Sequence, residues 1–289
     1  MSDTSRAIAL MIVSMAAFAL GDALVKAASE YLSVAQVLIF MALPAVAIFA
    51  VLAQRAGQPV FSRDFFARAS LLRNGIESLT AICMVSALAA APLSLVISIT
   101  QAVPLLVTLG AALVLREAVG PRRWAAILIG LIGVLVMLRP DTSGLSLGAL
   151  FALGAAVGLA VRDLVTRVTP ARIGTLQMAT WGMCALVFAG AALMPFTGPH
   201  PVIPPMGWVI VGFAAIANAV GYYAITAAMR IGDVAAVTPF RYSRLIFALI
   251  LAVLVFGERP DALTLLGALI VIGSGLYVMW RERRVAAKS

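Results

Sequence analysis

Ten apolar runs, most close to twenty residues long, follow one another along this 289-residue chain with only short polar breaks. About twenty residues of α-helix, rising 1.5 Å each, cross a hydrocarbon core about 30 Å thick. The runs fall near residues 7–27, 34–54, 70–90, 93–115, 123–139, 146–166, 174–195, 205–228, 234–256 and 261–280. Hydrophobic residues make up 63% of the chain and charged ones 11%, more apolar surface than a soluble domain of this length can hide. In a bilayer each run faces lipid and satisfies its own backbone. The chain is therefore predicted to be an all-α polytopic membrane protein with ten transmembrane helices. The first run is long enough to stay as a span rather than serve as a cleaved leader.

The net charge of +9 follows a topological pattern rather than forming a nucleic-acid-binding stripe. With the N-terminus inside, fourteen Lys and Arg residues flank the cytoplasmic ends, from Arg6, Arg55, Arg63 and Arg68 to Arg281, Arg283, Arg284 and Lys288. Three, Lys26, Arg139 and Arg259, flank the outer ends. This positive-inside bias predicts a multi-pass protein of a bacterial-type inner (plasma) membrane with both termini cytoplasmic. It also fits an even number of spans.

Residue supply argues against an intramembrane enzyme. The single histidine, His200, lies in a Pro-rich connection, and Cys83 and Cys184 stand alone inside apolar runs. Zinc, disulfide and His-based nucleophilic chemistry all lack their residues. Lys26 has no serine partner on its face. No cofactor or metal is expected. Direct drive by ATP is not expected either, since no phosphate-binding GxxxxGK loop is present. The short connections offer little docking surface for a scaffold.

The chain repeats itself. One unit reads AAAPLSLVISITQAVPLLVTLGAALVLREAV and ends near Glu117; the other reads RIGDVAAVTPFRYSRLIFALILAVLVFGERP and ends near Glu258. Each continues through a turn into a glycine-bearing helix, with Gly130 and Gly133 in one and Gly267, Gly273 and Gly275 in the other. The predicted division is 1–141 and 142–289, five spans each. An odd number of spans forces the halves into opposite orientations, a frequent basis for alternating access.

In these paired helix–Glu–turn–Gly-helix units, Leu113–Gly133 and Val253–Gly275, and in its ten-span length, the chain resembles the EamA family of the drug/metabolite transporter superfamily. The resemblance covers essentially the whole chain. It implies two inverted five-helix bundles around a central cavity, and secondary transport of small metabolites, often amino acids or related compounds.

Polar residues inside the runs mark the candidate site, because charge in the hydrocarbon core is costly. Arg241 and Arg244 share a face of the ninth run, just after Pro239. A guanidinium fork suits a carboxylate or phosphate. Arg244 is read as the leading substrate-anion ligand with Arg241 assisting; a structural ion pair with a buried acid is the other reading. Glu77 on the third run is the obvious acidic partner, with Arg73 four residues before it. If free of arginine, Glu77 could hold an amine or a proton. Asp22 and Lys26 are expected to pair locally at i,i+4, with Asp22 alternatively binding an ammonium group or a coupling proton. Arg162 and Asp163 are read as an interfacial anchor, with no need to contact each other; Asp163 stays a possible cavity residue. The Glu117/Glu258 spacing of 141 sets Gln101 against Tyr242, both expected to face the cavity. Asn218 and Tyr222 on the eighth run share a face, with Tyr223 and Thr226 nearby, while Trp181 is expected to face lipid. Polar helix–helix contacts would equally explain the uncharged groups.

The expected function is secondary transport of a small anionic or zwitterionic metabolite, amino-acid-like or carboxylate, by alternating access. The alternative is uptake of a cationic amine, a nucleoside-like compound or a vitamin. The expected partners are the substrate, the lipid bilayer and a coupling proton, with no nucleic acid, in a monomer or weak homodimer.

Overall fold

The computed structural model describes residues 3–117, 119–139, 146–170, 172–197, 202–231 and 237–286. His200, the predicted division at 141/142 and Lys288 lie outside them, as do the side chains of Arg230, Arg283 and Arg284. Among the described residues eleven α-helices build ten spans: α1 (Asp3–Ala28), α2 (Val34–Arg55), α3 (Arg68–Ala90), α4 (Leu93–Thr100), α5 (Val103–Leu113), α6 (Pro121–Leu138), α7 (Leu147–Val168), α8 (Thr175–Leu193), α9 (Pro205–Ile231), α10 (Ser243–Phe256) and α11 (Ala262–Ala286). No strand occurs among the described residues.

Local chemistry sets the helix ends. Ser33 and Gln36 form a capping box that starts α2: the Ser33 hydroxyl accepts from Gln36 N, and Gln36 Oε1 accepts from Ser33 N. At the equivalent start of α8, Gln177 Oε1 accepts from Gly174 N. Ser146 caps α7 through Ala149 N, and Pro121 opens α6 with its missing N–H in the harmless first turn.

The fourth and ninth spans are not the continuous helices the sequence suggests. The fourth turns at Gln101–Ala102 between α4 and α5; the ninth passes through a 3₁₀ turn at Thr238–Tyr242 before α10. Proline accounts for both interruptions. Pro104 has no N–H for the carbonyl four residues back, and Pro239 sits in the first turn of the 3₁₀ segment.

The two halves interleave. A shift of 141 residues carries α1 onto α7, α2 onto α8, α3 onto α9, and α6 onto α11. The main packing partners are α1 with α9, α3 with α7, α2 with α8, and α6 with α11. The first two pairs are equivalents of each other, and the last two join counterparts across a pseudo-twofold axis in the membrane plane. The α6–α11 pair meets at glycine: a Cβ on Gly133 would lie 2.8 Å from the Gly267 carbonyl oxygen. Small residues thus allow contact where no hydrophobic force drives helices together in lipid. Leu79, Leu254 and Leu269, each more than half exposed, belong to the lipid-facing belt.

Trp181 departs from expectation. It is 4% exposed, its indole Nε1 donates to Val60 O at 2.8 Å, and its ring meets Phe65 edge-on. The indole N–H finds in the α2–α3 connection the acceptor that lipid cannot supply.

Candidate substrate site

A cavity of about 1180 Å³ lies between the halves. Its lining reaches Glu117, Arg123, Arg167 and Thr238 at the end of the bundle where α1 begins. It includes none of the described connecting residues at the opposite end. Gln101, Tyr242, Asn218, Tyr222, Asp22, Glu77, Arg241 and Arg244, the eight residues singled out from the sequence, all line it.

The broken spans meet at its closed side. Gln101 Nε2 donates to Tyr242 O at 3.5 Å, so the two residues matched by the repeat touch across the pseudo-axis. The Tyr242 hydroxyl is buried with no hydrogen-bond partner among the described residues, close against Gly275.

Asp22 is bound to Arg244, not to Lys26. Asp22 Oδ2 accepts from Arg244 Nε at 3.0 Å and Nη2 at 2.6 Å, and the guanidinium stands 5.6 Å from the Phe18 ring centroid. Lys26 instead donates to Ala91 O at 2.6 Å and Leu88 O at 3.4 Å, satisfying carbonyls at the end of α3. The i,i+4 rule loses here because a half-buried lysine finds orphan helix-end carbonyls within reach.

Glu77 does not meet the ninth-span arginines. It pairs with Arg73 at 3.4 Å, as its spacing allows, and with Arg162 at 3.1 Å. Arg162 also donates to Asp163 Oδ1 through Nε at 3.1 Å and Nη2 at 2.9 Å. The anchor reading of Arg162 is therefore corrected: both residues line the cavity, and a long flexible arginine contacts its neighbour despite their angular separation on the helix. Arg73 is further held by Thr166 Oγ1 and Met178 O.

Arg241 is different. It projects into the cavity, exposed there, and makes no ion pair among the described residues. Among the described residues in the middle of the cavity three carboxylates (Asp22, Glu77, Asp163) face four guanidiniums (Arg73, Arg162, Arg241, Arg244), and Arg241 is the one guanidinium outside an ion pair. An unpaired cation in a low-dielectric cleft attracts an anion strongly.

The uncharged groups divide. Asn218 Nδ2 bonds to Ala214 O and lies against Gly21, leaving a polar amide at the wall. Tyr222 packs edge-on with Phe49 at 4.7 Å. Tyr223 is 74% exposed on the lipid side, and Thr226 turns back on Tyr222 O.

Asp163, read from the sequence as part of an interfacial anchor or as a possible cavity residue, carried a usable signal for the cavity. The shift of 141 that matches Glu117 with Glu258 also matches Asp22 with Asp163 and Glu77 with Asn218.

Comparison with known proteins agrees with this architecture. The EamA-like transporter family model matches twice, at residues 5–139 and 146–280. An S-adenosylmethionine uptake transporter of Rickettsia prowazekii is 26% identical over 67% of this chain and 65% of its own length. A riboflavin transporter of Rhizobium johnstonii is 30% identical over 69% of this chain and 66% of its own. This chain thus spans just under two thirds of both relatives. The pseudopaline exporter CntI of Pseudomonas aeruginosa is 24% identical over 91% of this chain and 92% of its own. A solved crystal structure shares the fold with a TM-score of 0.64 at 20% identity, covering 98% of this chain and 99% of that one. With two matches that together take in nearly all of its residues, the chain belongs to the EamA-like transporter family.

Proposed function

We propose that the protein is a secondary carrier that moves a metabolite of vitamin or nucleoside size, bearing an anionic group, across the inner membrane by alternating access. The observation that carries this reading is Arg241, a guanidinium with no ion pair among the described residues, in a cavity of about 1180 Å³ that extends to one end of the bundle. Sites for small molecules usually enclose roughly 300–1000 Å³. A free amino acid would leave most of this volume filled with water, so the narrower amino-acid expectation fits less well. Relatives named for S-adenosylmethionine and riboflavin point the same way in size. One carboxylate or phosphate would neutralise Arg241, while the apolar and aromatic walls, including Phe18, Phe49 and Tyr222, would hold a flat body.

Asp22 is the proposed carrier of a coupling proton. An incoming anion that draws Arg244 away leaves Asp22 without its partner, in a wall where ionised carboxylate is costly. The proposed orientation has both termini cytoplasmic, a reading that the distribution of basic residues supports. A single chain encloses the cavity, so the proposed unit is a monomer.

Counterflow into proteoliposomes with radiolabelled S-adenosylmethionine, riboflavin, nucleoside monophosphates and amino acids tests the reading. S-adenosylmethionine or a nucleoside monophosphate, which carry the carboxylate or phosphate that riboflavin lacks, is expected to exchange, and Arg241→Gln is expected to lower that exchange by about tenfold at unchanged folding. Exchange confined to amino acids, or unaffected by Arg241→Gln, would overturn the substrate assignment.

A further inference from the structure

At the end of the bundle opposite the cavity mouth two carboxylates among the described residues join the halves: Asp261, which accepts from Arg139, and Glu258, which holds the start of a helix. Gly257, in the left-handed region at φ 61°, ends α10 and turns the chain so that Glu258 N bonds back to Ala252 O. The Glu258 side chain then reaches the first half of the molecule. Oε1 accepts from Leu93 N at 2.6 Å; Oε2 accepts from Ser94 N at 3.0 Å and Ser94 Oγ at 2.7 Å. Lys26 Nζ approaches Oε1 at 3.8 Å while holding the end of α3. One anion thus joins α1, the α3–α4 corner and the α10–α11 corner. A carboxylate on exposed backbone N–H groups at a helix start makes charge-assisted bonds, stronger than neutral ones.

Position gives this contact its meaning. Glu258 and Ser94 line a separate recess of about 540 Å³ at that end, and its lining shares no residue with that of the main cavity.

The repeat supplies a second carboxylate at the other end. Glu117, shifted by 141, is the counterpart of Glu258. Its corner is built alike: Arg116 takes the left-handed region at φ 57°, and Glu117 N bonds to Ala111 O as Glu258 N does to Ala252 O. The side chain differs. It is 54% exposed, lines the cavity mouth and meets Arg167 at 3.6 Å, and among the described residues it caps no helix.

We infer that Glu258 is the latch that closes its end of the transport path in this state, and that Glu117 is the corresponding latch, released here, for the other end. Equivalent corners in two states, one fastened and one free, are what an inverted repeat needs to exchange access between its ends. The inference rests on the alternating-access reading but names residues away from the charged centre of the cavity.

The test uses the full chain with Cys83→Ala and Cys184→Ala and one reporter, Val25→Cys, on the cavity wall. The protein is reconstituted in vesicles and treated with a membrane-impermeant maleimide from one side or the other; an N-terminal tag identifies the sides. The parent is expected to label from the Glu117 side. Glu258→Gln is expected to raise labelling from the Glu258 side by about tenfold, and Ser94→Ala, which keeps the backbone bonds, by about threefold. Glu117→Gln is expected to leave that side shut. A folded Glu258→Gln protein with the parent's labelling pattern overturns the proposal. So does a Glu117→Gln protein that opens the Glu258 side equally, since loss of either carboxylate would then merely loosen the fold. If Glu258→Gln does not fold, Ser94→Ala decides alone: increased labelling supports the latch and unchanged labelling overturns it. No substrate is used, so failure of the substrate assignment in the flux screen would leave this result standing.

Discussion

Equivalent residues in the two halves of this protein make different bonds. Asp22 and Asp163 are related by the 141-residue shift, yet Asp22 binds Arg244 of the other half while Asp163 binds its own neighbour Arg162. Glu258 fastens the start of α4, while Glu117 stands at the cavity mouth. Gly257 occupies a left-handed position without strain, and Arg116 occupies the same position with a side chain. The backbone follows the repeat and the charges do not. A perfectly symmetric set of bonds would hold both ends alike and favour neither direction of opening, whereas unequal bonds let one arrangement be shut at one end and open at the other.

The largest expected effect contrasts the two aspartates. Asp22→Asn removes the anion from the ion pair that joins α1 to Arg244, and transport is expected to fall by about tenfold or more in the counterflow assay. Asp163→Asn leaves Arg162 held by Glu77, and a loss of no more than about threefold is expected. Equal losses would mean that the two positions do the same work.

A smaller effect separates the two corners. Gly257→Ala puts a Cβ into the left-handed region and is expected to cost about 1 kcal/mol, read as a lower midpoint of thermal unfolding in detergent. Arg116→Gly relieves that strain and is expected to raise the midpoint by a smaller amount, offset by the greater freedom of glycine when unfolded. Midpoints shifting in the same direction would break the equivalence of the corners.

The smallest effect lies at the surface of the cavity-mouth end. Arg172 donates to Asp64 through Nη2 at 2.8 Å and Nε at 3.2 Å, and these bonds hold the Asp64 carboxyl below the usual carboxylate range. A lowered value stabilises the fold above about pH 4 and loses that contribution as pH falls through it. Arg172→Ala is expected to leave neutral-pH stability nearly unchanged and to flatten the acid limb of a midpoint-against-pH profile. A large loss at pH 7 would show that this exposed pair, rather than helix packing, holds the halves together.

Much of the fold was legible in advance because lipid imposes simple rules. A span must be apolar for about twenty residues, and its ends must meet polar groups. The predicted runs accordingly fall within a few residues of the observed helices, from 34–54 against Val34–Arg55 to 261–280 against Ala262–Ala286. The interruptions of the fourth and ninth spans escaped because hydropathy is blind to them; Pro104 and Pro239 were visible, but not whether neighbouring helices would accommodate the freed backbone groups. Which residues line the cavity was legible too, since charge inside an apolar run has few places to go but a wet cavity. The pairing within the site was not. Lys26, Arg162 and Arg244 each had several acids or carbonyls within the reach of a long side chain, and spacing along one helix cannot rank partners on another.

The order of apolar and polar residues, with the repeat written into it, determined by itself that this chain would cross a membrane ten times in two opposed halves. Periodicity and composition are properties of the chain and need no neighbours. Only the tertiary structure decided that Arg244 would be matched by Asp22 and that, among the described residues, Arg241 would make no ion pair and Glu258 but not Glu117 would grip a helix start. Those outcomes depend on distances of a few ångströms between segments up to 222 residues apart, and the Coulomb and hydrogen-bond energies that select among them change steeply over that range.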